Sequence, residues 1–448
     1  MIRYNYFTYA LMNTITFLPY FLFIIIGNSY HTILYGWFPL IIFYTFKYTG
    51  AFLIHSFQSK IKTRELLLTF ILLATVGAFC GVLAPLSPIW IELAAVLMGT
   101  ATSILLPLYT TTQFHEKHFY GRKMKGTHFG LALLTALIMV PLVLFTAHSQ
   151  YSNLAFLIYG IALSVCFVTL RHMPQYEIAV QPNANLKAQS FILFIMFTAL
   201  IFIIKAVRKT NFQVFMVLIL IGSLTLLAIL ALMMKKFKVQ FHLPKYIHFF
   251  AFVQGMTANF FLLYGTFYAL SQKSNHFMTY RIYLPYGLGM IFALFLGGKI
   301  IKKFNRIHPL SVISVGSFCG LLLTLIPWTI TIGGFFIGFF SSLLTRKLNR
   351  FAYDASESYK DSSLLLRNRW SKLGRMINQT ILVLLILLSS YLSHIPINQV
   401  FLIVTGKSNH YSDVMFTNLW ITGIILVLSI GSLLSYGNWR MKVRTENN

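Results

Sequence analysis

Apolar runs of about twenty residues, long enough to cross a hydrocarbon layer of roughly 30 Å as a helix, recur throughout this 448-residue chain. Such a segment has few folding options. Where lipid surrounds it, its backbone polar groups must be satisfied within the segment, so the runs read as transmembrane helices. Only 10% of residues are charged against 57% hydrophobic, which suits an all-α polytopic membrane protein and not a water-soluble domain. The net charge of +27 would suit nucleic acid in a soluble protein. Here it lies in short loops between apolar runs and matches anionic lipid headgroups instead. Membrane lipids are therefore expected partners, and nucleic-acid binding is excluded.

Fourteen spans are predicted. Six lie near 5–26, 33–56, 66–86, 89–110, 128–147 and 152–171. A polar stretch with Pro174, Pro182 and Lys187 interrupts the pattern, and two further runs follow at 189–207 and 211–234. The last six lie near 248–272, 283–301, 309–328, 329–349, 376–393 and 413–437. The expected domains are a six-span bundle over 1–172, a linker with two inserted spans over 173–247, and a second six-span bundle over 248–448. The first run leads into another without a small-residue cleavage site, so no cleavable signal is expected. Cys80, Cys166 and Cys319 fall inside apolar runs without metal-ligand spacing and behave as small hydrophobes.

Charge placement tests the count, because one missed or added span would scramble which loops share a side. With the N-terminus in the cytoplasm, 29 of the 36 Lys and Arg fall on the cytoplasmic side, six fall outside, and Lys47 lies within a span. The cytoplasmic set includes eight residues from Arg346 to Arg375. This asymmetry predicts an even number of spans in the inner membrane, with both termini cytoplasmic. The joins at 205–209 and Pro327–Trp328 are where a span could be miscounted, and Ile395–Gly406 could be re-entrant.

Three stretches carry a family pattern. In LGGKIIKKFNR, Leu296–Arg306, Gly298 and Arg306 match a Gly-x-x-x-Asp-Arg-x-Gly-Arg loop, and its counterpart from Ser56 to Arg64 keeps Arg64. Lys302 and Lys60 stand where that pattern has an acid. ELAAVLMGTATSILLPLY, Glu92–Tyr109, is similar to a fourth-span Arg-x-x-Gln-Gly segment followed by proline: Gly99 and Pro107 fit, while Ala95 and Met98 replace the Arg and Gln. RIYLPYGLG, from Arg281, resembles a Leu-Pro-Gly opening of span ten. A fifth-span Gly-Pro-x-x-x-Gly-Gly signature is reduced to Gly126, Gly130 and Pro141.

Together with the six, two, six order, these stretches resemble the fourteen-span drug-efflux branch, the Qac/Emr type, of the major facilitator superfamily, as a divergent member. The architecture match covers most of the chain and the motif match is partial. The resemblance implies two six-helix bundles, alternating access, and efflux of a lipophilic or amphipathic compound. It also implies a gating loop at Gly297, Gly298, Lys302, Lys303, Arg306 and Arg64, a fourth-span motif at Gly99 and Pro107, and, in a two-membrane bacterium, a periplasmic adaptor protein. Independently of the family, a glycine pair at a span end lets helices approach, and the cations complement helix C-termini and inner-leaflet lipids. The competing reading of Lys302, Lys303 and Arg306 is plain topology charge.

Ionisable groups within spans are costly and mark function. Only nine acids occur, and of these only Glu92 and Asp413 approach span interiors, both near outer ends. A cationic-drug pump needs negative charge to replace its ligand's hydration, so a neutral or anionic substrate is favoured over a cation, and proton coupling finds little support. Lys47 is the exception, a cavity cation for an anionic substrate or a lysine that snorkels past Tyr44 and Tyr48 to the inner interface. Gln254, Asn259, Asn378 and Gln379 are further cavity candidates, with interhelical hydrogen bonding as the alternative.

Enzyme chemistry is not expected. His115, Glu116 and His118 lack the i, i+4 spacing of zinc hydrolases and a third ligand, so no metal site and no cofactor is predicted. Asp354, Glu357 and Asp361 lie in RKLNRFAYDASESYKDSSLLLRNRW, a mixed-charge stretch read as an amphipathic surface connector. No phosphate-binding glycine loop occurs. The expected function is a secondary transporter of a small molecule. The alternatives are an uncoupled facilitator or lipid flippase, a polytopic membrane transferase, or a transporter-derived receptor or assembly factor.

Overall fold

The computed structural model describes residues 6–14, 18–20, 22–23, 33–56, 62–121, 126–148, 153–173, 191–192, 194–199, 243–271, 277–304, 306–355, 360–396, 399–400, 403 and 411–446. These are helical apart from short turns, and no strand occurs among them. In chain order the helices are α1 (Tyr6–Thr14), α2 (Ile33–Ser56), α3 (Thr63–Val82), α4 (Pro88–Thr102), α5 (Leu105–Tyr120), α6 (Gly126–His148) and α7 (Asn153–Arg171). They continue with α8 (Lys245–Ser271), α9 (Leu284–Lys303), α10 (Pro309–Thr324), α11 (Ile330–Asp354), α12 (Lys360–Leu392) and α13 (Ser412–Glu446). A π-helical turn, Met278–Tyr283, leads into α9, where Pro285 has no N–H to offer the preceding turn.

Among the described residues, eight helical segments are long and apolar enough to cross a membrane, and Phe38–Leu53 and Pro309–Thr324 are shorter apolar helices. On α6, Leu134, Ile138, Leu142 and Phe145 form an exposed stripe, Phe145 at 82%. A surface of this kind suits lipid and not water. The protein is an all-α, multi-pass membrane protein. Each expected span outside the inserted pair overlaps a described helix, the first only in part, since α1 covers 6–14 of 5–26 and residues 15–17, 21 and 24–26 lie outside the described residues. Within the first inserted run, 194–199 is helical and Phe197 lies 5.2 Å from the Phe52 ring. The second, 211–234, lies outside the described residues, so these residues do not carry the count to fourteen. The join at Pro327–Trp328 is a true turn between α10 and α11, with the Trp420 indole N–H donating to the Leu325 carbonyl at 2.9 Å. Most of Ile395–Gly406 and all of 205–209 lie outside the described residues.

Two boundaries correct the sequence reading. The fourth span runs on to Tyr120 as α4 and α5, broken between Thr102 and Leu105. Pro107 cannot donate to the carbonyl four residues earlier, that of Ser103, and Ile104 leaves helical geometry at φ −131, ψ −14. The span expected at 376–393 begins at Lys360, and α11 runs to Asp354. The presumed connector is therefore mostly the ends of two helices. Leu348, Ala352, Leu364 and Leu366 are buried, and so is the charged Arg367.

The chain divides into two compact units, one of residues 1–210 with 356–365 and one of 211–355 with 366–448. The first is centred on Phe23, Phe43 and Phe156, with Phe23 5.0 Å from Phe43 and 5.7 Å from Phe156. The second holds one cluster around Phe260, Phe261, Leu382 and Leu426 and another around Ile247, Phe250, Leu344 and Leu348. In this second unit, α9 and α11 touch backbone to backbone. A Cβ on Gly289 would lie 2.2 Å from the Phe335 carbonyl oxygen, and one on Gly338 would lie 2.1 Å from that of Tyr286.

Candidate functional site

In the second unit, α8, α11 and α12 meet on a polar seam centred on Gln254. Its amide nitrogen donates to Thr345 Oγ1 at 3.0 Å and Ser341 Oγ at 3.3 Å, both on α11. Its oxygen accepts from Arg367 Nη2 at 2.9 Å and Ser371 Oγ at 2.8 Å, both on α12. Arg367 is buried and also donates to Asn349 Oδ1 at 3.2 Å. The charge is thus held by neutral amides. The seam exists because α12 places Arg367, Ser371, Gly374 and Asn378 on one stripe, at steps of four, three and four residues. Gly374 and its opposite number Gly255 bring the two backbones together.

One turn further along, the pattern changes. Asn259 Nδ2 donates to the Arg375 carbonyl at 3.0 Å. Asn378 is fully buried, and neither its amide nitrogen nor its oxygen has a partner among the described residues. Gln379 is buried beside it. Among the sequence candidates, Gln254, Asn259, Asn378 and Gln379 are therefore gathered on α8 and α12, one as a saturated clamp and another as an unmet amide. Arg375, counted as a loop charge in the sequence reading, lies well inside a helix.

Lys47 belongs to the first unit. It is half-buried on α2, with its ammonium 5.5 Å from the centre of the Phe43 ring and 5.9 Å from that of Tyr20. Phe43 lies one turn toward the Ile33 end, so the side chain runs away from the Ser56 end. The aromatic faces offer the cation a partly dry environment. Tyr44 stacks on Tyr48 at 6.0 Å and meets Tyr20 edge-on at 4.8 Å. Gly99, from the fourth-span motif, lets α4 meet α2: a Cβ there would lie 2.7 Å from the Phe43 carbonyl oxygen. Pro107 sits in the first turn of α5, next to the break.

A second polar node in this unit was missed in the sequence. His115 is fully buried, and its Nε2 lies 2.8 Å from Asp361 Oδ1. Thr63 Oγ1 donates to the same carboxylate oxygen. Glu116 is buried next to His115, and Lys360 Nζ is 3.2 Å from His118 Nε2. The signal was present as His115 and Glu116, but it became legible only once α5 extended to Tyr120. Asp361 comes from the far end of the sequence, which no spacing rule could pair with His115. Among the described residues no group of three metal-ligating side chains occurs.

The family-like loop is exposed at Lys302, Lys303 and Arg306. Its two glycines differ: a Cβ on Gly297 would strike the Leu343 side chain at 2.1 Å, whereas one on Gly298 would meet nothing within 4 Å. Only Gly297 supports the expected close approach. Next to the loop, His308 caps α10, its Nδ1 accepting from the Leu310 N–H at 3.3 Å. Desolvation, and then the Lys347 ammonium, hold this histidine below its ordinary pKa, which favours the neutral ring that the cap requires. In the first unit, Arg64 donates to the Arg171 carbonyl.

No family model matches the chain, and no curated protein matches it. Solved structures do resemble it. A peptide transporter POT in complex with sulfate aligns at TM-score 0.53 and 13% identity, covering 96% of this chain and 95% of that one. A POT family transporter in complex with a thioalcohol-conjugated peptide aligns at TM-score 0.52 and 13% identity, covering 95% of each chain. Another, in complex with 5-aminolevulinic acid, aligns at TM-score 0.52 and 12% identity, covering 95% of this chain and 94% of that one. The chain thus shares the fold of these solved structures.

Proposed function

We propose that this protein is a secondary transporter that moves a small neutral or anionic amphipathic molecule across the inner membrane by alternating access, with six-span bundles over 1–172 and 248–448, two inserted spans over 173–247, and both termini cytoplasmic. The observation that carries the reading is the shared fold with solved transporters across 96% of the chain. The scarcity of acids, nine against 36 Lys and Arg, supports a non-cationic cargo. Lys47, held among aromatic rings and directed along α2, supports a cavity cation. Export and a periplasmic adaptor rest on the drug-efflux resemblance alone. Purified protein in proteoliposomes, tested for solute movement in both directions, tests transport and export together. Product formation without vectorial movement would favour a transferase and sink the transporter reading. Lys47→Ala is expected to weaken handling of anionic solutes by about tenfold, in line with a charged hydrogen bond, and to spare neutral ones. Equal loss for both would make Lys47 a structural residue.

A specific observation also favours proton coupling over a plain facilitator. His115 is fully buried 2.8 Å from the part-exposed Asp361 carboxylate, with Glu116, His118 and Lys360 beside them in the first unit, and histidine–carboxylate pairs of this kind serve as relays in coupled transporters. His115→Gln is expected to abolish accumulation driven by a pH gradient and to leave solute exchange without a gradient intact. Full gradient-driven accumulation in that variant would remove His115 from coupling.

A further inference from the structure

We propose that α12 carries a carboxylate-binding subsite made by Arg375, Asn378 and Gln379, edged by Asn259 of α8, and that it takes the anionic group of the transported molecule. The inference rests on the transporter reading above and names the part of the molecule that recognises its cargo.

Arg375, Asn378 and Gln379 stand at i, i+3 and i+4, which places them on one helix face. Because α12 starts at Lys360, Arg375 lies about 22 Å along it, within the helix and not in a loop. The residue is half-buried, and its guanidinium has no hydrogen bond or ion pair among the described residues. Sequence composition explains why. Residues 211–355 and 366–448 contain three acids, Asp354, Asp413 and Glu446. All three lie at helix ends: Asp354 is the last residue of α11 and pairs with Arg350, Asp413 is in the first turn of α13 and exposed, and Glu446 closes α13. This unit has no carboxylate of its own to set against Arg375.

The amides complete the case. Gln254, two turns away on the same seam, has four partners, so the seam is able to satisfy a buried amide. Asn378 has none, although it is fully buried. An unmet buried amide is destabilising and persists where a ligand supplies the missing partner. Gln379, 6% exposed, makes no hydrogen bond among the described residues either. A carboxylate answers all three groups: its two oxygens match the planar guanidinium fork, and their remaining lone pairs accept from amide N–H groups. One turn beyond, Leu382 and Ile386 belong to the apolar core with Phe260. The ligand class is therefore a small monocarboxylate with an apolar body.

The full chain in detergent is titrated with phenylacetate and with its neutral counterpart phenylacetamide, followed by thermal stabilisation and calorimetry. Phenylacetate is expected to bind and phenylacetamide not. Arg375→Gln should weaken phenylacetate at least tenfold, and Arg375→Lys should restore part of it. Asn378→Leu should raise the melting temperature of the free protein, because it removes the unmet amide, and lose the carboxylate response. Absence of any phenylacetate, benzoate or butyrate binding at millimolar concentration, equal binding of the amide, or unchanged binding in Arg375→Gln overturns the subsite. Carboxylate binding that depends on Arg375 without vectorial movement in proteoliposomes retires the transporter reading and leaves the subsite. Movement that is indifferent to Arg375→Gln does the reverse.

Discussion

Gln254→Leu is expected to destabilise the second unit by about 3–5 kcal/mol, the cost of removing one partner from a buried charge. The wild-type amide oxygen accepts from both Arg367 and Ser371. Without it, the buried guanidinium keeps only Asn349 as an acceptor among the described residues. The charge itself is not what stabilises the seam, since a buried ion costs several kcal/mol to desolvate. The double variant Gln254→Leu with Arg367→Met should therefore recover most of the loss, because the apolar pair demands no hydrogen bonds. Unfolding in mixed detergent–SDS micelles, run as a double-mutant cycle, reads the effect. If Gln254→Leu unfolds like wild type but fails to transport, Gln254 is a substrate contact and not a clamp.

The second large effect is expected at the crossing of α8 and α12. A Cβ on Gly374 would lie 2.0 Å from the Phe252 carbonyl oxygen, and one on Gly255 would lie 1.9 Å from that of Ser371. Both obstacles are backbone, so no side-chain rotation can relieve them. Gly374→Val is expected to cost about 3 kcal/mol or more, at the upper end of overpacking effects, and to pull Gln254 away from Arg367. Gly298→Ala is the matched control, because its added methyl meets open space and a helical Ala is mildly favoured over Gly. Equal melting temperatures for the two variants would show that the helices are not held at this distance.

Much of the scaffold was legible in the sequence because a bilayer imposes one strong rule: each apolar run must bond its own backbone and be long enough to cross. The rule is local, so windows of twenty residues find it. It failed where a helix outruns the hydrocarbon. The start of α12 carries Lys360, Arg367, Arg369 and Lys372 before its apolar part, and averaged hydropathy hid its buried face. The same error misplaced Arg375 and ended the fourth span before His115.

What the sequence determined alone is the environment: spans, loops, the scarcity of acids, and hence a helical membrane protein. The roles of its polar residues were decided only by tertiary structure. Gln254, Asn259 and Asn378 look alike in sequence, each an isolated amide in an apolar run. Among the described residues, packing gives Gln254 four partners and Asn378 none, and it joins Asp361 to His115 across 246 residues. Hydrogen bonds depend on ångström-scale approach between distant segments, here set by where Gly255 and Gly374 let two backbones touch, and no local pattern encodes that distance.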